Sequence, residues 1–212
     1  MVPVSRKRVI RVIIILVISM HIVYGGAFNP PTKAHLDVYY FLHHKVNVEK
    51  FIYLPVGSVY RKDELVGDGH RFKMLKRMVS GLVDVEISDL EMSDEAYLGT
   101  YESLKRLEVT DTPLAFVIGA DNLKNLSNWK HSDKLLKDYQ CIVLNRYDKF
   151  LHDLIENDPY LKTHKKHIHV FSDFKVDISS STFRETGNDT YVTPAVFNYI
   201  LEHGLYGIKK EG

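Results

Sequence analysis

Two short stretches carry residue types that can grip an anion. In IVYGGAFNPPTKAHL, residues 22–36, a β-branched run stops at Gly25 and Gly26, and a helical pattern opens at Thr32. Neither glycine has a Cβ, so another backbone or a phosphate can come close. Pro30 and Pro31 fix the exit turn and forbid helix before them. Thr32 stands where an N-cap belongs, and His35, three residues on, shares one face of the first helical turn. Unpaired N–H groups and the positive end of the helix dipole collect at that turn, which favours phosphate. In the second stretch, DISSSTFRET, the hydroxyls of Ser180 and Ser181 stand at a helix start with Arg184 about one turn on. N–H groups, hydroxyls and guanidinium can converge there on one polyphosphate. Taken singly, hydroxyls at a helix start are commonly caps and a histidine is commonly structural. Together the two stretches point to a protein that binds and transfers a nucleotide.

The elements around them must set these groups at one edge of a sheet. The helix begun at Thr32 is expected to run to about Lys45, with a strand at residues 50–54 stopped by Pro55. This strand, helix, strand unit implies a parallel sheet with a right-handed crossover. After the charged loop GSVYRKDELVGDGH, the helix HRFKMLKRMV is expected to bury Phe72 and Leu75, with Met78 or Val79. Residues 83–87 alternate as a strand, and residues 97–107 read as a helix. The continuous apolar run 114–118 fits a central parallel strand and ends in Gly119-Ala120-Asp121, where open α/β sheets bind ligands. Short helical material surrounds the only tryptophan, Trp129, and a strand at 141–144 ends near Arg146. Residues 148–157 read as a helix, 167–171 as a strand, and PAVFNYILEHGLY as a last helix with Pro194 near N1 and Gly204 near its C-cap. The expected fold is α/β: a single doubly wound, Rossmann-like parallel sheet with helices on both faces.

Composition bounds the rest. A chain of 212 residues with 45 % hydrophobic residues is long enough for one full α/β domain. Lys and Arg number 28 against 27 Asp and Glu, so no global field favours nucleic acid or an anionic membrane. The lone Cys141 excludes an internal disulfide framework and a Cys-rich zinc site, and suits the cytoplasm. His164, His167 and His169 are read as a solvated turn and strand rather than a metal site, because flanking lysines oppose a cation. SRKRVIR followed by VIIILVIS has the outline of a signal peptide, yet no small-residue cleavage pattern follows and the apolar run is too short to span a bilayer. Residues 1–19 are therefore expected to be an N-terminal extension, with an edge strand or a targeting segment as alternatives, and residues 20–212 the catalytic domain.

The paired stretches resemble the nucleotidyltransferase superfamily, whose signatures are H/T-x-G-H after the first strand and I-S-S-T-x-x-R near the C-terminus. Within it the chain resembles the nicotinate/nicotinamide mononucleotide adenylyltransferases. PVGSVYRKDELVGDGHRFKML at 55–75 is similar to that family's P-V-x-x-x-Y-x-K-x-x-L followed by H-R-x-x-M. Tyr97-Leu98-Gly99-Thr100 is similar to its aromatic-x-x-Thr, Gly119-Ala120-Asp121 to its G-A-D, and VTPAVFNYILEHGLY to its C-terminal helix. Six motifs in family order span nearly everything from Met20 to Tyr206. Two positions depart from the pattern: Ala34 replaces the usual Gly, expected to add a methyl close to the phosphates, and Ser181 stands where Thr is common.

The resemblance implies attack by the 5′-phosphate of a pyridine mononucleotide on the α-phosphorus of ATP, releasing pyrophosphate in NAD biosynthesis. It implies that His35 donates to the α-phosphate region, Thr32 helps hold the phosphates, and Gly25, Ala27 and Phe28 approach the nucleotides through backbone. Ser180, Ser181 and Arg184 would hold the ATP β and γ phosphates, and Asp121 would bind the ribose or help orient the nucleotide. On the mononucleotide side it implies Lys62 for the phosphate, Tyr97 and Trp129 for stacking on the pyridine, Thr100 near its carboxylate or amide, and Arg146 as a further contact. Mg²⁺ would bridge the ATP phosphates with few protein ligands. The partners implied are ATP and nicotinate or nicotinamide mononucleotide, with no nucleic acid and no membrane; a homo-oligomer stays open. Alternatives are a phosphopantetheine adenylyltransferase, a cytidylyltransferase, or a non-catalytic nucleotide-binding regulator on the same fold. Class I aminoacyl-tRNA synthetases share the histidine motif, but the chain is small and has no KMSKS lysines.

Overall fold

The computed structural model describes residues 18–60, 65–145 and 151–209. Lys62, Arg146 and residues 1–17 lie outside them. The strands are β1 (Met20–Gly26), β2 (Val48–Pro55), β3 (Val85–Ile87), β4 (Leu114–Gly119), β5 (Gln140–Leu144) and β6 (Ile168–Phe171). They form one sheet in the order β3-β2-β1-β4-β5-β6, and every neighbouring pair is parallel. Parallel neighbours need crossovers, and the helices between the strands supply them. The order reverses between β1 and β4, so their carboxyl ends open a crevice where doubly wound sheets bind ligands.

Alternation along the strands sorts the core into two layers. Ile22, Phe51, Tyr53, Val117 and Ile142 face one side, while Val23, Ile52, Leu54, Phe116 and Val143 face the other. The first layer is covered by α1 (Lys33–Lys45), α2 (Asp68–Met78), α8 (Ser180–Thr186) and α9 (Pro194–Glu202). The second is covered by α3 (Thr100–Arg106), α4 (Ala120–Leu123), α5 (Ser132–Asp138), α6 (Leu151–Asn157) and α7 (Pro159–His164). Each fully buried aliphatic or Phe side chain contributes about 1.5–3 kcal/mol relative to exposure, so the two layers are the main hold on the sheet.

Several expectations are corrected in detail. Arg71, not Phe72, turns inward from α2: Arg71, Met74, Leu75 and Met78 are buried while Phe72 is half-buried. The strand expected at 83–87 spans only Val85–Ile87, because Val83 stands in solvent. The helix expected from Tyr97 begins at Thr100, since Gly99 before it takes φ +99° and breaks the helical path. His167 lies in a 3₁₀ turn ahead of β6. Helix α7 had escaped the reading altogether, although Asp158 caps it, accepting the Leu161 N–H at 2.9 Å, and Pro159 opens it. Among the described residues, no helix is long and apolar enough to cross a membrane.

Candidate active site

The carboxyl edge of the sheet at β1 and β4 carries a cleft of about 530 Å³. Tyr24, Gly25 and Gly26 from the end of β1 line one wall, and Gly119 to Asn122 from β4 and α4 line another. Tyr60, Tyr97, Thr100 and Trp129 line its outer end. The structure thus gathers Gly25, Asp121, Tyr97, Thr100 and Trp129 around one cavity. Tyr97 and Tyr60 lie with ring centroids 4.5 Å apart, and the Tyr97 hydroxyl is 3.2 Å from Thr100 Oγ1. Burial pushes the Tyr97 phenol above its usual value, so the group is a neutral hydroxyl at physiological pH. An apolar ring entering here would meet an aromatic wall with one hydroxyl pair for orientation.

A second cluster lies beside the cleft, at the start of α1. The Thr32 N–H donates to His35 Nδ1 at 2.8 Å, and Thr32 Oγ1 is 2.9 Å from the same nitrogen. A backbone N–H can only donate, so Nδ1 accepts and the neutral ring carries its proton on Nε2. Phe28 packs edge-on to the imidazole, centroids 5.0 Å apart, and Tyr24, which lines the cleft, is 6.0 Å from it. The Tyr53 hydroxyl donates to the His35 carbonyl at 2.9 Å and holds the turn on β2. Thr32 is 0 % exposed. The expected grip of Thr32 on phosphate is therefore revised: its hydroxyl lies inside, against His35, and acts through the imidazole. Ala34 is revised too, because its methyl is 1 % exposed and packs into the interior rather than toward a phosphate.

Residues from far along the chain complete this cluster. The Ser180 hydroxyl donates to the Pro30 carbonyl at 2.8 Å, and Arg184 NH1 donates to the Asn29 carbonyl at 2.6 Å. Arg184 NH2 reaches Ser181 Oγ at 3.4 Å. Ser179 caps α8 through its side chain, accepting the Thr182 N–H at 3.0 Å. The loop between them is tight. A Cβ at Gly26 would lie 3.2 Å from the Phe28 ring, so the ring, folded back over β1, would have to give by a few tenths of an ångström to admit one. His35, Phe28, Ser180, Ser181 and Arg184 are thus brought together, with the Ala27 backbone beside them.

Sequence reasoning missed Tyr60 and Glu91. Tyr60 was visible as the aromatic of the P-V-x-x-x-Y stretch; Glu91 had no local signal. It lines the cleft at 8 % exposure and accepts from Ser103 Oγ at 2.6 Å. Its backbone carbonyl sits so close to Gly57 that a Cβ there would meet it at 2.2 Å. Burial pushes the Glu91 carboxyl above its ordinary 4.5, the Ser103 bond and Arg106 pull it down, and Asp94 pushes it up. The folded chain therefore keeps this proton to higher pH than the unfolded chain does. Stability from it is full below pH 4.5 and is lost as pH rises through the folded value. Glu91→Gln keeps an acceptor for Ser103 and removes the titration. Its unfolding free energy should gain on wild type as pH rises above 4.5 and level off once Glu91 is ionised in both states, read from denaturant melts; parallel curves would deny the cause.

A family model described as Cytidylyltransferase-like matches residues 23–186. A relative named "Probable nicotinate-nucleotide adenylyltransferase" from Acholeplasma laidlawii is 38 % identical over 190 residues, covering 88 % of this chain and 97 % of the relative. One of the same name from Clostridium acetobutylicum is 30 % identical over 196 residues, covering 87 % of this chain and 97 % of its own. Among solved structures, Plasmodium falciparum nicotinic acid mononucleotide adenylyltransferase complexed with NaAD superposes with a TM-score of 0.71 at 21 % identity, covering 92 % of this chain and all of that one. That likeness bears out the doubly wound sheet. With the family match spanning most of the chain and a 38 % identical relative covered almost end to end, the protein belongs to the cytidylyltransferase-like family, among its nicotinate-nucleotide adenylyltransferases.

Proposed function

We propose that the protein transfers the AMP moiety of ATP to nicotinate or nicotinamide mononucleotide, releasing pyrophosphate, as a step of NAD biosynthesis. The observation that carries the reading is the Thr32–His35 contact, which leaves an N–H on the outer nitrogen of an imidazole at the start of the helix that follows the loop Arg184 holds at Asn29. A mononucleotide phosphate oxygen attacks the α-phosphorus of ATP, the new P–O bond forms, and the bond to the bridging oxygen breaks with its electron pair leaving on pyrophosphate. The attacking group is already an anion, so the chain needs donors rather than a base. His35 Nε2–H donates to the α-phosphate oxygens as charge builds. Ser180, Ser181 and Arg184 hold the leaving phosphates, Asp121 the ribose, and Tyr97, Trp129 and Thr100 the pyridine ring.

Mg²⁺ bound with ATP would supply neutralisation of the phosphate charge, while Ser180, Ser181 and Arg184 would still hold the phosphates. Mg²⁺ prefers to keep water and phosphate ligands, so it would ask few of the chain. The single, fully buried cysteine supports a cytoplasmic setting.

The test is pyrophosphate release with Mg²⁺-ATP and, in turn, nicotinate mononucleotide, nicotinamide mononucleotide and phosphopantetheine, repeated with CTP. Turnover with a pyridine mononucleotide and ATP is expected. Turnover only with phosphopantetheine or only with CTP would move the protein within its family. Nucleotide binding with no turnover on any pair would make it a regulator.

A further inference from the structure

We propose that Arg71 is a positioning residue for this reaction: through the Ala27 carbonyl it holds Phe28 in a left-handed conformation, and through the Phe28 ring it sets the His35 imidazole. The inference rests on the transferase reading above. Arg71 is 0 % exposed and does not line the cleft at β1 and β4. Its Nε donates to Val66 O at 3.0 Å, NH1 to Ala27 O at 2.7 Å, and NH2 to Val56 O at 2.6 Å. Asp68 balances its charge and also accepts the Ser58 N–H at 3.0 Å. The three carbonyls belong to three separate segments of the carboxyl edge: the loop after β1, the exit of β2 and the approach to α2. Packing alone would favour an apolar side chain on this face of α2, because a buried charge is costly to desolvate. A planar fork with five N–H donors is what three diverging carbonyls require, and lysine cannot supply it.

The segment so held is strained. Phe28 takes φ +47°, which a bulky residue keeps only where its surroundings over-determine it. Arg71 pins the carbonyl before Phe28 and Arg184 pins the carbonyl after it. The Phe28 ring then lies edge-on to His35 with centroids 5.0 Å apart. Loosening Ala27 lets Phe28 relax, and the imidazole loses the wall that fixes its plane while Thr32 still holds Nδ1.

Arg71→Lys is the test, run as a cycle with His35→Ala. Per folded molecule, kcat should fall roughly tenfold or more with KM little changed, since misplacement of a catalytic group by an ångström costs up to about 10²-fold. In the His35→Ala background the same substitution should cost almost nothing more, because its route runs through the imidazole. Nitrogen NMR of the imidazoles, with His35 assigned by its loss in His35→Ala, should report an Nε2–H tautomer in wild type and a shifted ring in Arg71→Lys. Equal costs in both backgrounds, or an unmoved His35 signal, would overturn the proposal in favour of a purely structural arginine. If Arg71→Lys does not unfold cooperatively, Phe28→Leu, which keeps the guanidinium and removes the ring, must show the same dependence on His35. A wild-type protein inert on every substrate pair would sink the transferase reading, and the NMR comparison alone would then decide the role of Arg71.

Discussion

Replacing His35 by alanine is expected to lower kcat by roughly 10²-fold or more, with KM and the unfolding transition close to wild type. The size follows from what the side chain offers. With Nδ1 accepting from the Thr32 N–H at 2.8 Å, the imidazole is a fixed Nε2–H donor that pays no reorientation when charge appears on the α-phosphoryl group. A donor that strengthens only in the transition state shows in kcat rather than in KM. The fold should survive, because the ring is half-exposed and the turn is held separately by Tyr53 on the His35 carbonyl. Steady-state pyrophosphate release beside a thermal melt makes the measurement. A rate near wild type would refute the assignment.

Arg184→Ala is expected to act chiefly on ATP, lowering kcat/KM for ATP roughly 10- to 100-fold, the weight of one or two charge-assisted hydrogen bonds to phosphate. The mononucleotide KM should move much less, which separates this variant from general damage. Part of the loss is local, because Arg184 also holds the Asn29 carbonyl at 2.6 Å. Arg184→Lys should recover charge but not the fork that serves Asn29 and Ser181 together, and so should recover only part of the activity. Equal changes in both KM values would contradict the placement of Arg184 on the ATP phosphates.

The sheet was legible because its strands are apolar runs closed by breakers. Residues 114–118 read as a doubly covered strand from composition alone, and Pro55 and Gly119 marked ends that the structure keeps. His35 and Arg184 were legible through their setting, one turn into helices that follow conspicuous loops. Arg71 was not, because its burial depends on three carbonyls from segments that meet only in the folded chain. Period-counting assigned the inward face of α2 to Phe72 for the same reason: hydrophobicity cannot foresee a buried charge whose partners are backbone oxygens. Thr32 shows the limit from the other side. Its residue type fitted both a cap and a phosphate ligand, and only its complete burial separates them. Val83 misled through alternation alone; the partner strand β2 pairs with residues from Val85 onward, and nothing nearby in sequence announces where pairing starts.

The hydroxyl of Ser180 and the guanidinium of Arg184 meet the loop at Pro30 and Asn29 across 150 and 155 residues of chain. During synthesis the histidine turn emerges well before the residues that close over it. Until then a growing chain can form the first crossover but lacks the side chains that hold the Pro30 and Asn29 carbonyls. The loop is therefore held only once α8 has docked on it, a contact between segments far apart in the chain. Such long loop closure slows folding.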